Sequence, residues 1–246
     1  MNMHATIVND VVQAPLKNVA ALATLVESVR ERSQLSSGFG LFYGPSGYGK
    51  SRACEYARDN HDCLYVEVFD FWGRKELCRA VLSELGRTPK GTIADMMSEI
   101  GRHLGQRVGC GLIIDEADKL VDKNMIEMAR DIQRLTNAPV ILVGEESLPQ
   151  KLAVYERCEN RVLDFGLAQP CDVQDARILA GLIAPGIEID GALIEKICQE
   201  TRGRTRRVAN TLLEIANYAR NRGERAVTAA GYRGHIFNGV APRRGA

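Results

Sequence analysis

Gly44-Pro45-Ser46-Gly47-Tyr48-Gly49-Lys50-Ser51 is the stretch that decides the fold of this chain. It fits the pattern G-x-x-x-x-G-K-[ST] and follows residues 39–43, an apolar run that predicts a buried strand. Glycines allow the backbone to wrap around an anion, with N–H groups pointing inward at the start of a helix whose dipole favours negative charge. A glycine-rich turn could match by chance, but strand, loop and helix follow in the required order. We therefore expect all eight residues to bind a chain of phosphates.

The last two residues of this loop have distinct expected roles. Lys50 is predicted to reach the β- and γ-phosphates of ATP, and the Ser51 hydroxyl is predicted to take one position on Mg²⁺. ATP and Mg²⁺ are therefore the expected cofactors.

A second chemical motif is Gly111-Leu112-Ile113-Ile114-Asp115-Glu116. An apolar strand that ends in two acids places carboxylates at the carboxyl edge of a parallel sheet, where open α/β sheets bind ligands. We expect Asp115 to hold Mg²⁺ through water and Glu116 to act as the general base for the attacking water. The alternative is an ordinary strand end before a helix, with Asp118 as the N-cap. The position of the motif after a phosphate loop favours the catalytic interpretation.

Strands and helices alternate along the first part of the chain. This alternation predicts an α/β fold, with a five-stranded parallel sheet flanked by helices and right-handed crossovers. The predicted strands are residues 39–43, 63–69, 111–114, 140–143 and 161–165. The predicted helices of this part are residues 16–32, 51–60, 74–85, 93–104, 120–135 and 151–159.

The C-terminal part changes character. Residues 174–183, 191–201 and 205–221 predict three helices with no strand between them. We therefore divide the chain into an N-terminal arm and helix (1–34), an ATPase core (35–170) and a small helical lid with a basic tail (171–246). The arm carries little pattern, and no function is assigned to it.

Composition limits the class of protein. The formal net charge is +1, so affinity for nucleic acid would have to come from a local patch. The seven cysteines include no C-x-x-C pair, which favours a reduced cytoplasmic location. The N-terminus has no signal-peptide pattern, and no apolar run approaches the roughly 20 residues of a membrane span. We expect a cytoplasmic protein without membrane contact, located in the host cytoplasm if a phage encodes it.

Positive charge is concentrated near the C-terminus. Residues 196–246 contain eleven Lys and Arg against three acids, a local charge of +8. Part of this excess could be a solvated face, but its size also suggests contact with phosphates. The candidate DNA contacts are Arg204, Arg207, Arg220 and Arg222, with Lys75 and Arg79 on the helix after the second strand. A solvated face is the alternative for that helix also.

Trp72, the only tryptophan, lies in sequence beside Phe69 and Phe71. Packing in the core is the favoured interpretation of its side chain. The alternative is a platform for a base or a partner subunit.

The motifs together resemble those of the AAA+ ATPases. The resemblance rests on the phosphate loop, the Asp115-Glu116 strand end, the helical lid and Gly203-Arg204-Thr205-Arg206-Arg207. Within that group the chain resembles the transposition helper ATPases, which include the B protein of Mu-like phages and related bacterial transposon ATPases. Residues 112–120, 143–145 and 71–86 carry this closer resemblance, although secretion-linked ATPases share these phrases.

The resemblance implies further roles. Arg206 lies at the family's sensor-2 position, and Arg161, with Arg157 as the alternative, lies where the family places an arginine finger that completes the site of a neighbouring subunit. Each arginine could instead form a surface ion pair worth under ~1 kcal/mol. The chain departs from the family at the Gly144-Glu145-Glu146 strand end, where sensor 1 is usually a small polar residue. About 35 residues precede the core, too few for the helix-turn-helix domain of the Mu protein's group.

The resulting expectation is an ATP-dependent, largely sequence-nonspecific DNA-binding ATPase. It would oligomerise on double-stranded DNA, as a ring or a helical filament, and deliver target DNA to a transposase. One alternative is an AAA+ ATPase that acts on protein partners. Another is a P-loop small-molecule kinase, which the adjacent Glu116 and the basic lid disfavour.

Overall fold

A computed structural model of the chain describes residues 14–32 and 38–239. These residues fall into two compact units. Among the described residues, the core unit contains 19–32, 38–45 and 50–168, and the C-terminal unit contains 14–18, 46–49 and 169–239. Most of the predicted arm and the tail arginines Arg243 and Arg244 lie outside the described residues. Within the described ranges, every helix is too short or too polar to span a lipid bilayer.

The core unit is built on one sheet of five parallel strands, which confirms the predicted fold class. Its order is β2-β3-β4-β1-β5, so β1 is flanked by β4 and β5. The strands are β1 (Phe39–Tyr43), β2 (Cys63–Glu67), β3 (Gly111–Asp115), β4 (Val140–Gly144) and β5 (Val162–Leu167).

Burial of the strands follows from their sequences. Every residue of β3 and β4 is buried, as expected for continuous apolar runs covered on both faces of a parallel sheet. β5 is an edge strand whose residues alternate between half-buried and exposed. Burying each large aliphatic side chain of β3 and β4 contributes about 1.5–3 kcal/mol, so the centre of the sheet is well stabilised.

Eight helices are described here, seven in the core unit and the first helix, which begins at the boundary of that unit. They are α1 (Lys17–Arg30), α2 (Lys50–Asn60), α3 (Arg74–Glu84), α4 (Ile93–Gly105), α5 (Asp118–Asp122), α6 (Ile126–Thr136), α7 (Leu148–Ala153) and α8 (Glu156–Glu159). The first four follow the predicted spans to within two residues.

The single helix predicted over residues 120–135 is wrong, because the chain forms α5 and α6 with a break between them. Asn124 has a φ of 54° in the left-handed region, which asparagine tolerates better than most residues. The Met125 N–H donates to the Leu120 carbonyl at 2.7 Å and closes the turn. Both sides of the break remain buried, so the apolar spacing continues across it and conceals it in the sequence.

Two further boundaries differ from prediction. The helix predicted over residues 151–159 is interrupted at Val154 and Tyr155, and the Tyr155 hydroxyl donates to Asn124 Oδ1 at 2.5 Å. The second strand ends at Glu67 and not at Phe69. Beyond Glu67, the Val68 N–H still donates to the Asp115 carbonyl at 3.0 Å, but Phe69 is 43% exposed.

The C-terminal unit is helical, with one short addition. The prediction of no strand between its helices is wrong, because Glu188–Ile189 (β6) pairs in parallel with Ala226–Val227 (β7). Two-residue strands are too short to show a periodic pattern in sequence. The helices are α9 (Val173–Ile183), α10 (Gly191–Thr201) and α11 (Thr205–Arg222).

Candidate nucleotide site

The phosphate loop lies between β1 and α2, as its sequence predicts. Gly47 and Gly49 each have a φ of 87°, a conformation that side-chain-bearing residues rarely adopt. Substitution at either position would strain the loop. The stem of the loop, which includes Gly44, Pro45, Lys50 and Ser51, belongs to the core unit, and its tip, Ser46–Gly49, to the C-terminal unit.

Lys50 is held by the stem. Its Nζ donates to the carbonyl oxygens of Gly44 at 2.6 Å and Pro45 at 3.0 Å. Burial lowers the pKa of the Lys50 ammonium, while the nearby carboxylates of Asp115 and Glu116 act to raise it. A partly desolvated ammonium beside backbone carbonyls is well placed to exchange them for phosphate oxygens.

Asp115 ends β3 and is 2% exposed. Its Oδ1 accepts the Glu116 N–H at 2.9 Å, and its Oδ2 accepts the Tyr65 hydroxyl at 3.1 Å. Burial raises the pKa of the Asp115 carboxyl, and hydrogen bonds, first that of the Ser51 side chain, act to lower it. Tyr65 was not predicted from sequence, because it lies in an apolar strand and its partner is 50 residues away.

The oxygens of Ser51 and Asp115 fit the predicted Mg²⁺. A hydroxyl and a carboxylate are hard oxygen ligands, and Mg²⁺ usually binds through one or two protein oxygens together with water and substrate phosphates. The described residues contain no cluster of three or more His, Cys, Asp or Glu for a metal. This chemistry suits an ion that arrives with a nucleotide better than one held by protein ligands alone.

Glu116 follows Asp115 in a strained conformation. Its φ is 57°, and a left-handed glutamate costs roughly 1–2 kcal/mol. Such strain is concentrated at functional sites, where the surrounding structure maintains it. The Ala117 N–H donates to the Val143 carbonyl at 2.8 Å and thereby ties the turn to β4. The Glu116 carboxylate lies 3.3 Å from Lys119 Nζ, and its side chain is 42% exposed, so water can reach it.

Asp118 has a role that its sequence position did not reveal. It is not an N-cap, because α5 begins at Asp118 itself, with Ala117 as the cap. Its buried carboxylate accepts the Glu145 N–H through Oδ2 at 2.7 Å, and a Cβ at Gly144 would overlap the same oxygen. We call residues 115–118, between β3 and α5, the acidic turn. Asp118 therefore fixes the carboxyl end of β4, where sensor 1 is expected, against the acidic turn.

In the C-terminal unit, the Arg204 side chain contacts the loop tip. Its Nη1 donates to the Ser46 carbonyl at 2.8 Å. Arg206 contributes only its backbone N–H, which donates to the Gly47 carbonyl at 3.3 Å, and its side chain is exposed. The sensor-2 assignment of Arg206 stays a prediction.

Asn18 was not predicted from sequence, yet it braces the loop tip. It is 6% exposed, and its Nδ2 donates to the carbonyls of Tyr48 at 2.7 Å and Gln169 at 2.8 Å. Its Oδ1 accepts the Gln169 N–H at 2.8 Å. A single asparagine whose partners are 30 and 151 residues away leaves no local signal.

The proposed arginine finger is far from the acidic turn within one chain. Arg161 Nη1 donates to Gln133 Oε1 at 2.9 Å, and the Arg161 carbonyl accepts the Phe39 N–H at the amino end of β1. Asp115 lies at the opposite, carboxyl edge, and a five-residue strand is about 17 Å long. The structure does not bring Arg161 to Glu116, and Arg157 is exposed on α8.

An aromatic group follows β2. The Phe69 and Phe71 rings stack with centroids 5.8 Å apart, and Phe71 is 81% exposed. Trp72 is partly buried and packs against the hydrophobic core, in agreement with the favoured interpretation of its side chain. Lys75 and Arg79 are exposed on α3.

Known proteins share this fold. Residues 33–152 match the family model of the AAA domain. A Walker-type ATPase of Pyrococcus abyssi is 19% identical with a TM-score of 0.62, over 83% of this chain and 67% of that one. The ORC1 protein of Aeropyrum pernix, solved in complex with DNA, is 20% identical with a TM-score of 0.60. The match covers 85% of this chain and 61% of the ORC1 chain. Domain III of the replication initiation protein DnaA of Thermotoga maritima is 15% identical with a TM-score of 0.54. The match covers 91% of this chain and 92% of the DnaA domain.

These likenesses show the fold, because the identities are low. This chain spans less than two thirds of the ORC1 chain, 61% of its length. No curated protein sequence matches it significantly. Residues 33–152 therefore resemble the AAA domain in sequence, and the chain has the AAA+ P-loop ATPase fold.

Proposed function

We propose that this chain is a Mg²⁺-dependent ATPase. The observation that carries the proposal is the arrangement at the carboxyl edge of the core sheet. A partly desolvated Lys50 lies near a buried Asp115, which is hydrogen-bonded to Ser51, and a strained, water-accessible Glu116 follows directly.

The residues suggest a division of labour in hydrolysis. Lys50 and the loop N–H groups would hold the β- and γ-phosphates, and Ser51 and Asp115 would hold Mg²⁺, which would neutralise charge on the phosphate oxygens. Glu116 takes a proton from water as the water oxygen bonds to the γ-phosphorus. The bond from that phosphorus to the bridging oxygen breaks, and ADP leaves with the electron pair.

We further propose that the ATPase binds double-stranded DNA without reading its sequence. The local charge of +8 over residues 196–246 supports contact with a phosphate backbone. The fold likeness to an ORC1 protein solved with DNA is consistent with this assignment.

The resemblance to transposition helper ATPases supports the finer proposal. In it, ATP-bound subunits assemble on DNA as a ring or filament and deliver the target to a transposase. Because Arg161 lies at the amino end of its strand, it would act on a neighbouring subunit's nucleotide. The proposed organisation has a core (35–170), a lid with basic tail (171–246) and an N-terminal arm (1–34), and the proposed location is the cytoplasm.

ATP turnover with and without duplex DNA tests this function. We expect Mg²⁺-dependent hydrolysis, together with DNA binding that requires ATP or a non-hydrolysable analogue. Binding to two unrelated duplexes should be nearly equal and should weaken steeply with salt, with a log–log slope of about 0.9 per neutralised phosphate. Absence of DNA binding with every nucleotide would exclude the DNA proposal but leave the ATPase proposal intact.

One observation favours a second candidate, an ATPase that acts on a protein partner. The exposed, stacked Phe69 and Phe71 rings offer an apolar contact surface. Hydrolysis without DNA binding would promote this candidate.

A further inference from the structure

A cavity of about 290 Å³ lies in the C-terminal unit. We call it the arginine pocket. It is lined by Glu200, Arg202, Arg204, Arg207, Asn238 and Gly239. The lining includes three arginines and one glutamate, which gives it a net charge of +2.

The fold places these arginines on one tight turn. α10 ends at Thr201, and Arg202 follows in the left-handed conformation with a φ of 55°. Arg204 is then the N-cap of α11, and Arg207 lies within its first turn. The turn therefore brings three cations, spaced two and three residues apart, around one cavity.

Most donors of these arginines remain available. Arg204 uses Nη1 on the Ser46 carbonyl, and Arg207 uses Nη1 on the Asn238 carbonyl. Within residues 14–32 and 38–239, no acceptor pairs with the exposed Arg202 guanidinium. Because each guanidinium has five N–H donors, the pocket can satisfy several oxygens of one anion. Glu200 lies 3.8 Å from Lys196 Nζ, so part of its charge is offset from outside the pocket.

We propose that the arginine pocket binds a phosphodiester group of the DNA backbone. This proposal rests on the DNA-binding function proposed above and names its contact point. Arginine forks match phosphate geometry with two parallel hydrogen bonds. In sequence, the residues after Gly239 include Arg243 and Arg244 and no acid, and residues 196–246 carry a local charge of +8. A polyanion with regularly repeated charges matches this excess of arginines better than a single small anion does.

The test compares pocket variants with a matched arginine elsewhere in the same unit. Arg202→Gln and Arg207→Gln remove one charge from the pocket. Arg177→Gln removes one charge from an exposed position on α9. The probe is a labelled 30-base-pair duplex with a non-hydrolysable ATP analogue, and affinity is followed by fluorescence anisotropy across a salt series. Each pocket variant should weaken binding about tenfold and reduce the salt slope by about one. Arg177→Gln should change affinity by less than about twofold.

A second arm identifies the source of the phosphate. The affinity of each variant for ATP is measured without DNA, and we expect the wild-type value for Arg202→Gln. A loss of ATP affinity with unchanged DNA affinity would assign the pocket to the nucleotide and overturn the proposal. Competition by polyglutamate as strong as by unlabelled DNA would indicate a carboxylate site and would also overturn it.

Failure of this inference can be separated from failure of the proposed function. If the wild type binds DNA but the pocket variants match Arg177→Gln, the pocket proposal is wrong and the DNA-binding proposal stands. If the wild type binds no DNA, both are wrong. Arg207 also holds the Asn238 carbonyl, so its variant could lose structure. Arg202→Gln, at an exposed side chain, then decides the question.

Discussion

The carboxyl edge of the core sheet carries buried charges, whereas the arginine turn of the C-terminal unit, residues 202–207, carries exposed ones. At the sheet edge, Asp115 and Asp118 are 2% and 5% exposed, and each carboxylate accepts at least one hydrogen bond from a neighbouring backbone N–H. On the turn, Arg202 and Arg206 are exposed. Charges in a desolvated site interact strongly and depend on exact geometry, whereas exposed charges are screened and nearly additive. Substitutions at the edge should therefore have large individual effects, and substitutions on the turn should have modest, salt-dependent ones.

The largest expected effect is at Lys50. Lys50→Ala removes the ammonium that lies against the loop carbonyls, so ATP binding should fall below detection. The measurement is titration calorimetry with Mg-ATP, and Lys90→Ala, an exposed lysine in a loop, is the control for the loss of one charge. Wild-type affinity in Lys50→Ala would contradict the assigned phosphate site.

Arg161 extends the comparison to an arginine outside the turn. If Arg161 completes a neighbouring subunit's site, Arg161→Ala should bind ATP normally and hydrolyse it about 10³-fold more slowly. Mixing it with Lys50→Ala protein should restore part of the turnover at hybrid interfaces. Turnover of the mixture is measured at several ratios. No recovery at any ratio would leave Arg161 with the structural role suggested by its bond to Gln133, or would point to Arg157.

A substitution of Glu116 tests whether its carboxylate is the general base for the attacking water. Glu116→Gln keeps the shape but removes the base, so kcat should fall at least about 10²-fold with ATP affinity unchanged. Single-turnover hydrolysis measures the chemical step, and Glu195→Gln, at an exposed position on α10, is the control. Wild-type turnover in Glu116→Gln would remove Glu116 from the mechanism.

Features that are contiguous in sequence could be predicted, and features that depend on distant contacts could not. The fold class was confirmed because the phosphate loop, the acidic strand end and the apolar strands are contiguous runs, each with a local physical signature. The assigned roles of individual site residues stay predictions. The braces at Asn18 and Asp118 were missed because their partners are distant in sequence, and hydrogen bonds of this kind leave no periodic pattern. The break at Asn124 was missed because burial continues across it.

Asp118 tests whether the acidic turn must be braced against β4. Asp118→Ala leaves the Glu145 N–H without its acceptor, at a cost of about 1–3 kcal/mol in the free energy of unfolding. We expect kcat to fall about tenfold with little change in ATP affinity, because Glu145 loses its fixed position. Asp118→Asn retains an acceptor oxygen and should recover most of the turnover. Asp122→Ala, at an exposed residue that pairs with Lys151, is the control. Equal turnover in Asp118→Ala and the control would show that the brace is structural only.

The smallest expected effect is a change in the free energy of unfolding when the buried carboxylate of Asp115 is replaced. Burial raises the pKa of its carboxyl above the ordinary value of 3.8, so the folded state binds the proton more tightly than the unfolded state does. The ionised carboxylate therefore destabilises the fold at neutral pH, and this penalty disappears as the pH falls below 3.8, where the group is neutral in both states. Asp115→Asn has no such penalty and can still accept the Glu116 N–H through its amide oxygen. We expect the variant to be more stable than the wild type at pH 7, by about 1 kcal/mol, while it loses ATP turnover. The difference in Tm, followed by circular dichroism without nucleotide, should stay constant from pH 7 down to the raised pKa of Asp115 and should narrow only between that pKa and 3.8. Asp70→Asn, at an exposed carboxylate, should show no difference at any pH in this range. A variant less stable than the wild type at pH 7 would mean that the hydrogen bonds of Ser51 and Tyr65 to the carboxylate outweigh the cost of burying it.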